Sequence, residues 1–219
     1  MTVRIHFAER MKELDITIMK MGLLVVKALE LSMKALVDQD IELAKNIIEN
    51  DSKINELELT INDHCARLIA EEQPVAKDLR IILNAFKISH SLERIGDNAV
   101  HISKTAIRLS SEKYLKPLTD IQNMAEIAIG MVKDSLDSYI ETNSERAVDV
   151  SKRDSKVDEL YSQIFRDLLT YMHKNPDTID QAMSLLFICR RLERVADHST
   201  HICEGTIYIA TGKHVDLNE

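Results

Sequence analysis

The stretch that decides the fold of this chain is Glu93-Arg94-Ile95-Gly96-Asp97-Asn98-Ala99-Val100-His101-Ile102. One hundred residues later the chain carries a second copy, Glu193-Arg194-Val195-Ala196-Asp197-His198-Ser199-Thr200-His201-Ile202. Each copy holds Glu, Asp and His at positions i, i+4 and i+8, which places three potential metal ligands along one stripe of an α-helix. The repetition predicts a duplicated structural unit with two metal sites.

A second pair of matching segments supports the duplication. Asp51-Ser52-Lys53-Ile54-Asn55-Glu56-Leu57 corresponds to Asp154-Ser155-Lys156-Val157-Asp158-Glu159-Leu160, which lies 103 residues later. The difference of three residues between the two displacements falls in a connection near Pro176, where a change of length is tolerated. The chain is therefore predicted to hold two units of about a hundred residues each, at 1–113 and 114–219.

The composition predicts an all-α protein. The chain has only five Gly and three Pro, and its aromatic content of 4% implies an aliphatic core. Helix breaks are expected at the three prolines, and N-caps within the segments 38–40 and 142–144. The expected fold is two tandem, similar three-helix bundles, whose six long helices cover roughly residues 5–37, 40–72, 76–110, 118–141, 144–173 and 177–211.

Apolar residues at three- and four-residue steps mark the faces expected in the core. In the third helix these residues are Leu79, Ile82, Leu83, Phe86, Ile95, Val100 and Ile102. In the sixth helix they are Leu185, Leu186, Ile188, Leu192, Val195, Ile202 and Ile209. Most of the nine Met residues are also expected to fill the core, because their side chains adapt to irregular gaps.

Net charge and hydropathy argue against a nucleic-acid-binding protein and against a membrane-spanning one. A net charge of -8 argues against nucleic-acid binding, which requires a clustered basic surface. The apolar run near the start, residues 21–26, is too short to span a bilayer, and charged residues interrupt the region where a leader would lie. Cys65, Cys189 and Cys203 lack CxxC spacing and fit reduced, buried thiols. A cytoplasmic protein is expected.

The repeated acids are the main candidates for chemistry. Glu and Asp at i and i+4 repel each other by about 0.2–0.5 kcal/mol unless a cation lies between them. The preceding helix of each unit adds a further pair, Asp154 with Asp158 in the second half and Asp51 with Asn55 in the first. If antiparallel packing brings these faces together, each bundle presents enough oxygen donors for a multinuclear metal site. The site of the first half is expected to bind metal more weakly, because Asn55 is uncharged.

The types of the candidate ligands do not identify which metal ion would bind. Oxygen donors suit magnesium, calcium, manganese or iron, whereas an added imidazole from His101 or His201 favours iron, zinc or manganese. The competing interpretation is that the acid stripes are solvated helix faces. Arg94 and Arg194 are expected to form salt bridges with neighbouring acids. The alternative is that these arginines bind an anion such as phosphate.

Catalysis is not predicted. The chain shows no nucleophile elbow, phosphate-binding glycine loop or dinucleotide fingerprint. The alternative function is a carboxylate-bridged metal enzyme in a helical bundle. Such enzymes commonly use a Glu-x-x-His spacing, which neither repeated segment contains.

Together with the repeated segments, two further stretches carry a family resemblance. The segments are Gln73-Pro74-Val75-Ala76-Lys77-Asp78-Leu79-Arg80, Leu92 to Asp97, Asn175-Pro176, and Leu192 to Asp197. In this order they resemble the PhoU family of phosphate-transport regulatory proteins over essentially the full chain. The resemblance implies two three-helix bundles that bind multinuclear metal clusters through Glu or Asp-x-x-x-Asp motifs.

Carried over to this chain, the motifs of the family are Glu93 with Asp97, Glu193 with Asp197, and Asp154 with Asp158. Iron is the first expectation for the cluster, with manganese, zinc or magnesium as alternatives. The chain departs from the family pattern at Asn55, which stands in place of an acid, and at the two repeated histidines.

The resemblance also implies a regulatory role and partners. It implies a cytoplasmic negative regulator that links the phosphate ABC transporter, through its ATP-binding subunit, to a phosphate-sensing histidine kinase. Contact with the membrane is expected only through these partners. A homodimer is also expected, because long amphipathic helices commonly leave exposed apolar strips.

Overall fold

The computed structural model describes residues 2–217, the first four of them through their backbone only. This range contains eight α-helices, one 3-10 turn at residues 176–178 and no strand. The helices are α1 (Thr2–Asp38), α2 (Ile41–Asn50), α3 (Ser52–Glu72), α4 (Lys77–Leu109), α5 (Thr119–Glu141), α6 (Ser144–Ser151), α7 (Asp154–Lys174) and α8 (Ile179–Thr211). The predicted all-α fold is confirmed.

Two of the six predicted long helices each contain a break. The predicted helix 40–72 divides at Asp51 into α2 and α3, and the predicted helix 144–173 divides at residues 152–153 into α6 and α7. Short polar side chains such as those of Asn50, Asp51 and Ser52 compete with the helical hydrogen-bond ladder, which favours a break there. The two breaks occupy equivalent places in the duplicated halves.

The predicted N-caps are present at both of these helical segments. The Leu43 amide donates to Asp40 Oδ1 at 2.9 Å, and the Arg146 amide donates to Asn143 Oδ1 at 3.0 Å. Each side chain satisfies one amide that would otherwise lack a partner in the first helical turn.

Each half forms a three-helix bundle in which a broken helix packs beside two long ones. Helices α1, α2–α3 and α4 pack together, as do α5, α6–α7 and α8. The predicted boundary between residues 113 and 114 lies in the connection between α4 and α5.

The bundles contact each other through α4 with α8 and through α1 with α5. Helices α4 and α8 run antiparallel, since Arg108 lies beside Ser184 and Asn84 lies beside Gly205. One continuous set of buried side chains, from Leu14 to Ile209, extends through both halves.

The contact between α1 and α5 combines a close approach with polar links. Gly22 of α1 faces the buried Leu136 of α5, and a Cβ atom at position 22 would lie 2.4 Å from Leu136 Cδ1. The Tyr139 hydroxyl donates to Asp15 Oδ1 at 2.8 Å, and Lys133 pairs with Glu30 at 2.7 Å.

The core predictions hold in the sixth predicted helix and fail partly in the third. All seven apolar residues named for α8 are buried. In α4, Leu83 is 46% exposed and Phe86 is 50% exposed, so their placement in the core was wrong. Helical periodicity identifies an apolar stripe, but it does not show whether a neighbouring helix covers that stripe.

Met and Cys lie mainly as expected. Met21, Met33, Met124 and Met131 are buried. All three cysteines are buried and unbridged. Across residues 2–217, no helix combines the length and hydropathy needed to cross a bilayer.

Candidate metal centres

The second half gathers four carboxylates where α7 faces α8. Asp154 and Asp158 lie in the first turns of α7, and Glu193 and Asp197 lie one turn apart on α8. Burial, followed by the charges of Asp158, Asp197 and Glu193, raises the pKa of Asp154 to about 6. The Asp154 Oδ1 atom is buried and has no hydrogen-bond partner within the described part of the chain.

The two acids of α8 share this environment. Burial is the main cause that raises the pKa of Glu193 and of Asp197, and Asp158 contributes repulsion to both. Arg190 forms an ion pair with Glu193 and offsets part of this effect. The cluster therefore holds more negative charge than the protein itself neutralises.

The first half has a corresponding group between α3 and α4. Burial raises the pKa of Asp51, with the Asp97 carboxylate as the next cause. Burial and the Asp97 charge also raise the pKa of Glu93. Glu93 Oε2 lies 3.2 Å from Arg94 Nε but makes no hydrogen bond. Asn55 donates to Asp51 Oδ2 at 3.3 Å, while its own Oδ1 is buried without a partner.

The helix breaks place one acid of each site at a helix N-terminus. Asp51 precedes the first residue of α3, and Asp154 is the first residue of α7. Carboxylates are favoured there, because the helix dipole presents partial positive charge. The small residue Gly96 lets α3 approach α4, since a Cβ atom at that position would lie 3.2 Å from Ile54 Cδ1 and 3.6 Å from Asp51 Oδ1.

The structure adds Glu58 to the first site, a residue that the comparison of halves missed. Its carboxylate contributes to the raised pKa of Glu93, and its Oε1 atom lies 3.3 Å from His90 Nδ1. Glu58 lies seven residues after Asp51 and three after Asn55, on the same stripe of the helix. It was missed because its counterpart at the displacement of 103 is Tyr161, which is not an acid. Glu58 supplies the charge that Asn55 lacks.

The two repeated histidines lie within reach of the Asp of their own motifs, since the Asp97 charge acts on the pKa of His101 and the His201 charge acts on the pKa of Asp197. Both are exposed. Burial lowers the pKa of His101, and the next causes are the cations Arg191 and Lys104. His201 packs edge-on against His198, with ring centroids 5.6 Å apart. At 3.6 residues per turn, a side chain at i+8 is rotated by about 80° from one at i and by about 40° from one at i+4, so each histidine shares a face with the Asp more than with the Glu of its motif. Their role as metal ligands stays a prediction.

The two repeated arginines behave differently. Arg94 forms ion pairs with Glu93 and Asp97, each at 3.2 Å, which confirms the predicted salt bridge. Arg194 makes no ion pair with any residue in the range 2–217, so the same prediction was wrong for it.

The donor chemistry of the two clusters fits a hard cation. Three of the buried oxygens that lack hydrogen bonds belong to predicted ligands, namely Asn55 Oδ1, Glu93 Oε2 and Asp154 Oδ1. Carboxylate and amide oxygens are the ligands that Mg²⁺, Mn²⁺ and iron accept in proteins. Within the described side chains, no three His, Cys, Asp or Glu are arranged closely enough to enclose one ion. The metal sites therefore stay a prediction.

We expect the change Asp154→Asn to stabilise the metal-free protein. Because the folded pKa of about 6 exceeds the ordinary value of 3.8, ionisation of Asp154 destabilises the fold as the pH rises through this interval. The variant should unfold with a free energy about 1–2 kcal/mol higher at about pH 7.5, allowing for solvent screening, and with no gain below about pH 4. Urea unfolding in a chelating buffer measures both values.

The matched control is Asp149→Asn on α6, an exposed acid whose pKa is lowered by Lys152. It should bring no gain in stability at either pH. Equal stability of Asp154→Asn and the parent at about pH 7.5 would contradict the predicted repulsion.

Known proteins match both halves of this arrangement. A family model described as the PhoU domain matches residues 18–106 and again residues 121–206, which include all the acids of the two clusters. The chain belongs to the PhoU family. The family resemblance read from the repeated segments is thus confirmed, as is the duplication into two similar helical bundles.

Relatives of this chain align over nearly their whole length. A phosphate-specific transport system accessory protein PhoU homolog from Clostridium acetobutylicum is 43% identical and aligns over 97% of this chain and 98% of the relative. The phosphate-specific transport system accessory protein PhoU of Escherichia coli is 35% identical, over 98% of this chain and 90% of the relative.

Solved structures share the fold. The crystal structure of PhoU from Pseudomonas aeruginosa superposes with a TM-score of 0.91 at 32% identity, covering 94% of this chain and all of the other. The phosphate transport system regulatory protein PhoU from Streptococcus pneumoniae gives a TM-score of 0.90 at 28% identity, covering 96% and 99%.

Proposed function

We propose that this PhoU-family chain is a noncatalytic, cytoplasmic regulator of phosphate uptake. It acts as an adaptor between the ATP-binding subunit of the phosphate ABC transporter and a phosphate-sensing histidine kinase, and it keeps phosphate-starvation genes off when phosphate is plentiful. The observation that supports this role is the alignment, over nearly the whole of both chains, with accessory proteins of the phosphate-specific transport system.

The two carboxylate clusters are proposed as metal sites of this adaptor. Asp154, Asp158, Glu193 and Asp197 would hold one multinuclear cluster, with iron expected first and manganese, zinc or magnesium as alternatives. Burial and then mutual repulsion raise the pKa values of three of these acids, and a cation there would neutralise the repulsion.

The corresponding ligands in the first half are Asp51, Asn55, Glu93 and Asp97, with Glu58 beside them. In each half the ligands come from two helices, so a bound cation would hold α3 against α4 and α7 against α8. That gives the metal a role in fixing the faces that dock on partners.

The outer surface is suited to docking on proteins. The net charge of -8 favours basic partner surfaces, and apolar side chains such as Leu23, Leu59 and Phe187 are more than half exposed. A homodimer is part of the proposal, and light scattering of the purified chain would measure it.

The test is a reporter of a phosphate-starvation promoter in a bacterial host whose own PhoU gene is deleted. The unchanged chain should restore repression in high phosphate. The double variant Glu193→Ala with Asp197→Ala should fold with the same helicity by circular dichroism but leave the reporter on, because it lacks two of the four ligands of its cluster.

The matched control is Glu9→Ala with Glu13→Ala, which removes an exposed acid pair of the same spacing from α1. It should repress like the parent. Repression by the Glu193 and Asp197 variant would remove the metal sites from the mechanism. Failure of the unchanged chain to repress, when it is expressed and folded, would overturn the regulatory function.

A further inference from the structure

A polar crevice whose lining contains none of the acids of the two clusters lies between α4, α8 and the segment that follows α8. Its volume is about 340 Å³. Polar side chains from both helices line it, namely Asn84, Lys87, His90, Ser91, His201 and Glu204. Because α4 belongs to the first half of the chain and α8 to the second, the crevice exists only where the two bundles meet.

The crevice contains a buried hydrogen-bond donor without a partner. Asn84 is 3% exposed, and its buried Nδ2 atom makes no hydrogen bond with any residue in the range 2–217. A buried amide in this state costs stability unless a ligand or water accepts its hydrogens. The absence of a side chain at Gly205 makes room for it, since a Cβ atom there would lie 2.2 Å from Asn84 Oδ1.

At the equivalent position in the other half, the polar side chain has a hydrogen-bond partner within the protein. Ser184 is the counterpart of Asn84 at the displacement of 100, and Arg108 is the counterpart of Tyr208. Arg108 donates from its guanidinium to Ser184 Oγ at 2.7 Å. At the crevice, the arginine is replaced by Tyr208, which stacks on His214 with ring centroids 4.0 Å apart. The two ends of the α4–α8 contact have therefore diverged. Ser184 is hydrogen-bonded at one end, whereas the Asn84 Nδ2 atom at the other end has no partner among the described residues.

The other groups of the crevice supply donors, one cation and one carboxylate. Lys87 is exposed and makes no ion pair with any residue of the described chain. Ser91 is buried, and its hydroxyl makes no hydrogen bond within the same range. His90 is oriented by Glu58, which lies 3.3 Å from its Nδ1 atom.

Glu204 links the final segment to the crevice. Its Oε1 atom accepts a hydrogen bond from the Leu217 amide at 3.0 Å, and Leu217 is partly buried against the core. This contact fixes the carboxylate beside the donors of α4.

We propose that this crevice binds a phosphate-type oxyanion. The donors of Ser91 and Lys87 would bind its oxygens, and rotation of the Asn84 amide would turn its buried Nδ2 atom towards the anion and give it the partner it lacks. A carboxylate among donors suits hydrogen phosphate, because the Glu204 side chain can accept the proton of a P–OH group. Sulfate carries no such proton at neutral pH, so phosphate is preferred over sulfate. The proposal goes beyond the regulatory function above and requires no metal.

The test is calorimetric titration of the full chain, treated with chelator and held in a phosphate-free buffer. Inorganic phosphate should bind, and sulfate should bind at least ten-fold more weakly. AMP is titrated in parallel because it carries the same group on an organic molecule. Binding of phosphate without AMP identifies the free ion as the ligand, whereas binding of AMP alone identifies an organic phosphate, and either result supports the site.

Three variants locate the binding. Lys87→Met and Asn84→Leu should each weaken binding by about ten-fold or more, the effect of losing a hydrogen bond to a charged group. Glu204→Gln should keep the contact with the Leu217 amide while reducing the preference for phosphate over sulfate. Lys77→Met is the matched control, an exposed lysine of the same helix outside the crevice, and should bind like the parent.

The outcomes are distinguishable from those of the proposed metal sites. The Glu193→Ala and Asp197→Ala variant should bind phosphate normally if the crevice is the site. Absence of any heat with both millimolar phosphate and millimolar AMP, or binding that Lys87→Met leaves unchanged, would overturn the proposal. If circular dichroism shows that Asn84→Leu does not fold, Lys87→Met still tests whether the crevice binds the anion. Lys87 is exposed, so its replacement should leave the fold intact.

Discussion

Elemental analysis of the untagged protein, purified without chelators, is expected to find several metal atoms per chain, with iron the most abundant. A variant carrying Glu93→Ala, Asp97→Ala, Glu193→Ala and Asp197→Ala is expected to contain none. Each half concentrates carboxylates whose pKa values are raised by burial and mutual repulsion, and a cation would relieve that repulsion. Inductively coupled plasma mass spectrometry of both proteins measures the difference.

The control for the loss of four charges is a variant in which Glu9, Glu13, Glu49 and Glu145 are changed to Ala. These acids are exposed and lie outside both clusters. The control should keep the metal content of the parent. Metal absent from the parent as well would make the acid clusters protein-docking surfaces, and the proposed adaptor would act without a metal.

A single change separates the two halves in the same measurement. Glu58→Gln should lower the metal content of the first site and leave the second unchanged, because Tyr161 occupies the equivalent position there. An unchanged metal content would show that Glu58 is not a ligand.

The replacement Gly22→Leu is expected to lower the free energy of unfolding by about 1–3 kcal/mol, as overpacking of a filled interior does. Gly22 faces the buried Leu136 across the contact between α1 and α5, where even a Cβ atom would approach to 2.4 Å. Both helices would have to move apart, which would also strain the nearby bond between Tyr139 and Asp15. Urea unfolding followed by circular dichroism measures the change.

The matched control is Gly130→Leu within α5. A Cβ atom at position 130 meets only the end of the Arg153 side chain, at 3.9 Å. Both changes raise helix propensity by about the same amount, so their difference isolates the contact between the bundles. Equal stability of the two variants would show that the close approach at Gly22 contributes nothing.

The repeated segments were sufficient to predict the architecture. Glu93–Ile102 and Glu193–Ile202 indicated the duplication, and the prolines and N-caps divided each copy into three helices. These signals are local, since caps, breaks and periodicity act within one or two helical turns. The breaks at Asp51 and residues 152–153 were missed because their polar residues also occur on exposed helix faces, where they leave the helix intact.

The positions of the candidate metal ligands could be predicted only within one regular stretch of helix. The pair at i and i+4 remains on one face, so Glu93 with Asp97 and Glu193 with Asp197 lie together as expected. The histidines at i+8 are rotated further round the helix, where His101 meets the cations Arg191 and Lys104 as well as Asp97. Their role as ligands stays a prediction. Glu58 could have been found by extending the stripe from Asp51 and Asn55 by one further turn, without requiring a counterpart in the other half.

The sequence by itself determined the helical fold, its duplication and the acid pairs of each helix, because spacing along a helix is set by covalent geometry and hydrogen bonding. Only the tertiary structure decided which stripes are covered and how Asn84 meets Gly205 in the crevice. These features depend on the antiparallel packing of α4 against α8 and of each long helix against its broken neighbour. Residues far apart in the chain come into contact there, and a local sequence pattern cannot predict such contacts.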